Sequence, residues 1–138
     1  MDNNHHVIGQ LIHRLRRMER EPRTFGEAGE LKPSEMHTIE AIGYGNGILM
    51  SELAQKLSIT KGAATQIVSR LEREGFVRRS AHPLDSRAVI VELAERGKVA
   101  FISHENMQME FINALREELG EDGYRIFEKG LAKFIEFL

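Results

Sequence analysis

The chain has no cysteine and no tryptophan among its 138 residues. The missing cysteines exclude disulfide bonds, thiolate-bound metals, cysteine nucleophiles and thiol-based redox sensing. No stretch approaches the roughly 18 consecutive apolar residues of a membrane-spanning helix. The polar start Met1-Asp2-Asn3-Asn4 lacks the pattern of a signal peptide. The length fits one compact domain, or one small module with extra helices that need a partner to cover them. Since 41% of the residues are hydrophobic, which is near the globular average, we expect a soluble, helix-rich, cytoplasmic protein.

Basic residues are concentrated in the middle of the sequence. The formal net charge is −2, but residues 61–87 contain six Lys or Arg against three Asp or Glu, a local net charge of +3. The flanking parts are acidic, with net charges of −1 over residues 1–60 and −4 over residues 88–138. Because binding to nucleic acid depends on local clustering of charge, the acidic total does not exclude a nucleic-acid partner.

The first half of the chain predicts three helices and one short strand. Apolar residues recur at helical spacing over residues 7–20 and again from Lys32-Pro33-Ser34 onward, where proline suits the first turn of a helix. Residues 22–30 between these helices predict a loop. Ile48-Leu49-Met50 is long enough for one short strand, and Ser51 is a suitable N-cap for the third helix.

The second half predicts a helix followed by a β-hairpin and two long helices. Thr60 is a good N-cap for a fourth helix that runs to about Glu74, and Gly75 suits its C-terminal cap. Strands are predicted at residues 76–79 and 88–93, with the hairpin tip at residues 80–87. The remaining chain predicts one helix to about residue 119 and another after Gly120-Glu121-Asp122-Gly123.

The fourth helix has the pattern of a helix that recognises DNA. Its core-facing stripe leaves a polar face opposite, which a DNA major groove about 12 Å wide would admit. The two short helices joined by a tight turn match helix-turn-helix logic. The candidate DNA-binding residues of this helix are Thr60, Lys61, Gly62, Thr65, Gln66, Ser69, Arg70 and Arg73.

The hairpin after this helix corresponds to the wing of a winged helix. Asp85 and Arg87 lie two residues apart, so the carboxylate can hold the guanidinium through a charge-assisted bond. In that orientation Arg87 would enter the narrow minor groove, where the negative potential is enhanced. We therefore add Asp85 and Arg87 to the candidate DNA-binding residues.

Two runs of sequence resemble the MarR family of bacterial and archaeal transcription regulators. The first run is Thr60 to Val77, TKGAATQIVSRLEREGFV, and the second is the wing segment His82-Pro83-Leu84-Asp85-Ser86-Arg87. The start of the second helix, Leu31-Lys32-Pro33-Ser34, is similar as well. Family members often have Thr where Lys32 and Ala94 stand, so we expect weaker helix caps there, by about 1 kcal/mol each.

The resemblance implies a mainly α fold of the α+β winged-helix type, with a winged helix-turn-helix DNA-binding lobe at residues 31–97. It also implies N- and C-terminal dimerisation helices at residues 1–30 and 98–138, and a homodimer that reads a palindromic operator in double-stranded DNA. A ligand-responsive repressor is the function it implies. The family's ligands are small aromatic or acidic molecules bound between lobe and dimer helices, where the candidates are Arg16, Arg17, His37 and Tyr44.

The residues themselves also favour a dimer. The last helix and the one before it carry more apolar side chains than a small winged lobe can cover, and such surfaces usually mark interfaces. An intramolecular helical bundle is the alternative. The side chains in question are Phe101, Met107, Phe111, Leu115, Ile126, Phe127, Leu131, Phe134, Ile135 and Leu138.

Three other functions remain open or are set aside at this point. Six histidines leave a metal-responsive regulator open, with His37 and His104 as weak candidate ligands, although no His-x-x-x-His pair occurs. A winged-helix module that binds proteins instead of DNA is a second alternative, favoured by the acidic ends. An enzyme is set aside because Ser80, His82 and Ser86 lie at a hairpin tip that implies no deep pocket. We expect no cofactor.

Overall fold

Outside residues 22–30, helices and short strands follow one another in the predicted order. The computed structural model describes residues 4–138, with side chains from residue 6 onward, so the polar start Met1-Asp2-Asn3 lies outside the described residues. The helices are α1 Asn4–Met18, α2 Pro33–Ile42, α3 Met50–Lys56, α4 Lys61–Arg73 and α5 Glu95–Glu136. The strands are β1 Arg23–Thr24, β2 Glu30–Leu31, β3 Ile48–Leu49, β4 Val77–Ala81 and β5 Val89–Leu93.

The main sheet has three antiparallel strands in the order β3-β5-β4. The β4–β5 hairpin is the predicted wing, in a register that places Arg78 opposite Glu92. The mainly α, winged-helix fold class is therefore confirmed.

The plain loop predicted for residues 22–30 is wrong in part. β1 and β2 form a two-stranded antiparallel ribbon there, with a 3-10 turn at Gly26–Ala28 between them. Two-residue strands carry no periodic signal, so the pattern did not reveal them. The turn residue Ala28 is 1% exposed and belongs to the core.

The cap predictions for α4 are confirmed at both ends. The Thr60 hydroxyl accepts the Ala63 N–H at 3.1 Å. At the other end Gly75 adopts φ 81°, its N–H bonds to the Glu72 carbonyl at 3.1 Å, and the Phe76 N–H bonds to the Leu71 carbonyl at 2.9 Å. This Schellman arrangement ends the helix and turns the chain into the wing.

The starts of α2 and α3 differ from expectation. Ser51 does not cap α3, because the chain passes directly from β3 into a helix that begins at the buried Met50, with Leu49 at the N-cap and no side-chain bond. At α2, the expected weak cap at Lys32 is offset by Glu35, whose carboxylate accepts the Lys32 N–H at 3.0 Å.

The core lies between α2, α3, α4 and the sheet. Ala64, Val68 and Leu71 are fully buried along one face of α4, while Ile67 is half-buried. Their spacing follows the helical period, so the polar residues of α4 are left on the opposite side.

Arg96 joins three segments at the C-terminal end of α4. Its Nε donates to the Ala28 carbonyl at 2.9 Å and its Nη1 donates to the Glu74 carbonyl at 3.0 Å. The guanidinium also lies over the Phe76 ring, 4.4 Å from the ring centroid. A cation at the C-terminus of α4 compensates the free carbonyls and the helix dipole there.

α5 is interrupted at Gly120, where φ is 72° and ψ is 169°. This agrees with the predicted division into two helices at Gly120-Glu121-Asp122-Gly123. By its internal contacts the chain divides into two compact units, residues up to Ser103 and residues 104–138. Across residues 4–138, the apolar stretches of the helices are too short to cross a membrane.

Candidate nucleic-acid interface

The exposed face of α4 is polar and carries three cations. Lys61, Gln66 and Arg73 are exposed, as are Gly62 and Arg70, whereas Thr65 and Ser69 are half-buried. All of them are among the predicted contact residues, and the helix period brings them to one side of α4. The Thr65 hydroxyl donates to the Lys61 carbonyl at 2.8 Å, which leaves its oxygen free to accept from a ligand.

The two arginines of this face are in different environments. The Arg70 Nε lies 3.6 Å from Glu35 Oε2 and 4.0 Å from Glu74 Oε1. For Arg73, three residues further on, the described part of the chain shows neither an ion pair nor a side-chain hydrogen bond. Arg73 is therefore the arginine of this face whose charge is available to an external anion.

Glu72 and Arg79 link α4 to the first strand of the wing. The Glu72 carboxylate accepts from the Arg79 N–H at 2.9 Å, from its Nε at 3.1 Å and from its Nη2 at 2.9 Å. These hydrogen bonds, the one from the Arg79 side chain first, lower the pKa of Glu72 below its ordinary value of 4.5. Sequence reasoning missed this link, for which the only available signal was an acidic residue on the sheet-facing side of the helix.

The wing tip is held by a set of short hydrogen bonds. The His82 N–H donates to the Ala88 carbonyl and the Ala88 N–H to the Asp85 carbonyl, each at 3.0 Å. The His82 Nδ1 accepts the Leu84 N–H, also at 3.0 Å. A tip bound in this way is preorganised, so the side chains that project from it start from a defined backbone.

Asp85 binds Arg87 mainly through the backbone. Its Oδ1 accepts the Arg87 N–H at 3.0 Å, while the Arg87 Nε is 3.6 Å away, within ion-pair distance but beyond a hydrogen bond. The expected bond from carboxylate to guanidinium is thus a bond from carboxylate to main chain. The Arg87 side chain is 93% exposed and projects from the wing.

Lys61, Asp85 and Arg87 come together at a cleft of about 210 Å³. It lies between the wing tip and the starts of α3 and α4, and its other lining residues are Leu49, Met50, Ser51, Ala88 and Val89. The cleft unites the start of the helix and the wing tip, which were predicted separately as DNA contacts.

The candidate effector residues occupy separate places. Arg16 and Arg17 are exposed on α1, where Arg17 pairs with Glu21 at 3.1 Å. His37 lines an open groove with Glu40, Ala41, Lys56 and Leu57. Tyr44 is 59% exposed, and the centroid of its ring lies 6.2 Å from that of Phe101 and 5.6 Å from the Lys98 ammonium. In residues 4–138 no contact is recorded that joins Tyr44 to the other three candidates.

The weak metal candidates gain no support from the geometry. Within the described residues, no group of three or more His, Asp or Glu side chains is arranged to hold a metal ion. His104 lies 3.1 Å from Gln108 on the same helix, through its Nε2.

A protein-family model described as MarR family matches residues 30–88. The transcriptional repressor YetL of Bacillus subtilis is 31% identical over 88 residues, which cover 64% of this chain and 53% of YetL. The regulator BilQ of Clostridioides difficile is 23% identical over 59% of this chain and 55% of BilQ. The matched region thus spans about half the length of these curated relatives.

Solved structures share the fold over nearly the whole chain. Streptococcus pneumoniae FabT, crystallised in complex with DNA, has a TM-score of 0.76 at 24% identity and covers 97% of this chain and 93% of its own. A point mutant of S. aureus MepR bound to an oligodeoxyribonucleotide has a TM-score of 0.67 at 15% identity, with coverages of 99% and 98%. At these identities the likeness concerns the fold.

Proposed function

We propose that this chain is a MarR-family, sequence-specific DNA-binding transcriptional regulator, since a family model described as MarR family matches its residues 30–88. Its target is a palindromic operator in double-stranded DNA, which it binds as a homodimer in the cytoplasm. Repression is the proposed direction of control, since a relative of this chain is named a transcriptional repressor.

One observation carries this proposal. Lys61, at the start of the polar face of α4, and the projecting Arg87 of the wing line the same cleft. An α-helix fits the major groove, and an exposed arginine fits the electronegative minor groove next to it. Phosphates between the two grooves would then face the cations of the cleft.

Exposed apolar side chains support the homodimer. On α1 they are Val7, Ile8, Leu11, Leu15 and Met18, and between residues 104 and 138 the most exposed are Phe111, Ile126, Ile135, Phe137 and Leu138. Both groups form more exposed apolar surface than the scattered apolar residues of an ordinary monomer. In a homodimer with a two-fold axis, each group would be buried against a second copy of the chain.

A small aromatic or acidic molecule is the proposed effector. The exposed Tyr44 ring and the Lys98 ammonium beside it offer a stacking surface and a cation to such a ligand. The test is to add small aromatic acids to the protein bound to its operator and to measure the release of DNA. The same titration with divalent metal ions tests the metal-responsive alternative.

The decisive experiment is selection of bound fragments from a genomic library, followed by footprinting. We expect a palindrome whose two halves are about one DNA turn apart and whose affinity falls steeply with salt. Binding to a partner protein with no protection of any DNA would refute the proposal and favour a protein-binding winged helix.

Arg87→Ala tests the wing. It should weaken operator binding by about 5- to 150-fold, the range for losing one specific contact of about 1–3 kcal/mol. Arg23→Ala is the matched control, since Arg23 is an exposed arginine on β1, which belongs to a different sheet from the wing. Equal effects of the two substitutions would contradict the assignment of Arg87.

A further inference from the structure

Arg70 lies on the polar face of α4, yet its charge is already engaged inside the protein. Its Nε is 3.6 Å from Glu35 Oε2 of α2 and 4.0 Å from Glu74 Oε1 at the C-terminal end of its own helix. The Arg70 side chain is 45% exposed, so it is only partly available to a ligand.

Glu35 is the partner that needs this contact. Its side chain is 7% exposed, its Oε1 accepts the Lys32 N–H at 3.0 Å, and its Oε2 accepts no hydrogen bond from the described residues. A buried carboxylate requires a nearby counter-charge, and within residues 4–138 Arg70 is the cation recorded in an ion pair with Glu35.

We propose that Arg70 is a positioning residue, which fixes α4 against the start of α2 through Glu35, and that phosphate contacts on this face come from Arg73. The inference rests on the proposed function and assigns roles within the same interface. If Arg70 turned to a phosphate, Glu35 would remain buried without its counter-charge, which opposes that movement. Within the described residues, Arg73 is not held by such a pair.

The Glu35–Arg70 pair affects which DNA sequence is bound because it joins two helices. Glu35 is in the first turn of α2 and Arg70 in the last turn of α4, so the contact fixes the angle at which α4 leaves the core. Base recognition requires side chains placed to within about 0.5 Å, whereas attraction to phosphates tolerates a tilt.

Glu35→Gln distinguishes the two possible roles of Arg70. It should lower affinity for the operator if Arg70 is a positioning residue, and raise affinity for all DNA if Arg70 contacts phosphate. The amide can still accept the Lys32 N–H, but it no longer holds the guanidinium by charge. For a positioning pair, the affinity for the selected operator falls by about 10-fold while the affinity for unrelated DNA is unchanged. Glu27→Gln, at an exposed position, is the control for the loss of one negative charge.

The salt dependence separates Arg70 from Arg73. Arg73→Ala should reduce the slope of log affinity against log salt by about 1, because one phosphate contact is lost. Arg70→Ala should lower operator affinity and leave this slope unchanged. Arg70→Lys should recover part of the lost affinity. The double variant Glu35→Gln/Arg70→Ala should bind the operator no worse than Arg70→Ala alone.

Folding is checked by circular dichroism and urea unfolding of each variant. If Arg70→Ala does not fold, the double variant Glu35→Gln/Arg70→Gln leaves no buried charge and should show the same loss of operator affinity at unchanged slope. The inference is overturned if Glu35→Gln raises affinity for all DNA, or if Arg70→Ala lowers the slope as Arg73→Ala does. If the wild-type protein binds no DNA sequence, the proposed function fails as well.

Discussion

Gly97 shows how closely the wing and α5 approach one another. It is buried in the first turn of α5, and a Cβ at this position would overlap the Phe76 carbonyl. The same carbonyl accepts the Ala94 N–H at 2.9 Å, so it cannot move away without breaking that bond. Only glycine allows the chain to pass here with the hydrogen bond intact.

Gly97→Ala should therefore lower the free energy of unfolding by about 1–3 kcal/mol, the usual cost of overpacking a tight site. Gly130→Ala is the matched control, because Gly130 lies within α5 with open space where its Cβ would be. Alanine there should be neutral or stabilise by up to about 1 kcal/mol. Urea unfolding at equal protein concentration measures both, and an unchanged stability of Gly97→Ala would contradict the contact.

At the scale of elements, α4 is the best-predicted part of the chain. Thr60 and Gly75 have short-range physical reasons for their positions, a side-chain cap and a left-handed backbone, so both ends of the helix could be inferred from sequence. The wing followed from its two strands and its tip. The candidate DNA contacts on both elements stay predictions until binding is measured.

The contacts that join elements could not be predicted. Glu35 with Arg70 and Glu72 with Arg79 are separated by 35 and 7 residues, and no periodicity relates their positions. Their pairing depends on how α2, α4 and β4 pack, which is a tertiary property. The order of elements could be predicted from periodicity, caps and turn residues, whereas these pairs could not.

The Glu72–Arg79 pair predicts a pH dependence of the link between α4 and β4. Since the pKa of Glu72 is lowered in the folded state, its contribution is present above its ordinary pKa of 4.5 and is lost as the pH falls through the folded value. Glu72→Gln should lower the free energy of unfolding at pH 7 by under about 1 kcal/mol, since the pair is partly exposed.

This difference between wild type and Glu72→Gln should shrink as the pH is lowered from 6 to about 3, as followed by urea unfolding at each pH. Glu110→Gln is the control, because Glu110 is exposed on α5 and makes no recorded ion pair in the described residues. A difference that stays constant, or that grows toward acid pH, would contradict the role of the pair.

At the scale of the whole molecule, exposed apolar surface is the main feature that a single chain leaves unexplained. Ile126 and Ile135 are 74% and 62% exposed, on a segment whose Phe127 and Leu131 are also partly accessible. Because these two isoleucines contribute little to the packing of a single chain, charged residues in their place should chiefly weaken dimerisation.

Ile126→Glu/Ile135→Glu should therefore convert a dimer into a monomer that keeps its helical content. Light scattering should give about twice the chain mass of 15.7 kDa for the wild type and the single mass for the variant. The matched control is Arg125→Glu/Lys129→Glu, at exposed polar positions of the same helix, which adds more negative charge yet should remain dimeric.

Because each half of a palindrome needs one lobe, the monomeric variant should also lose affinity for the whole operator while its affinity for a half-site is kept. A wild type that is monomeric at every concentration would contradict both the dimer and the two-lobed mode of binding.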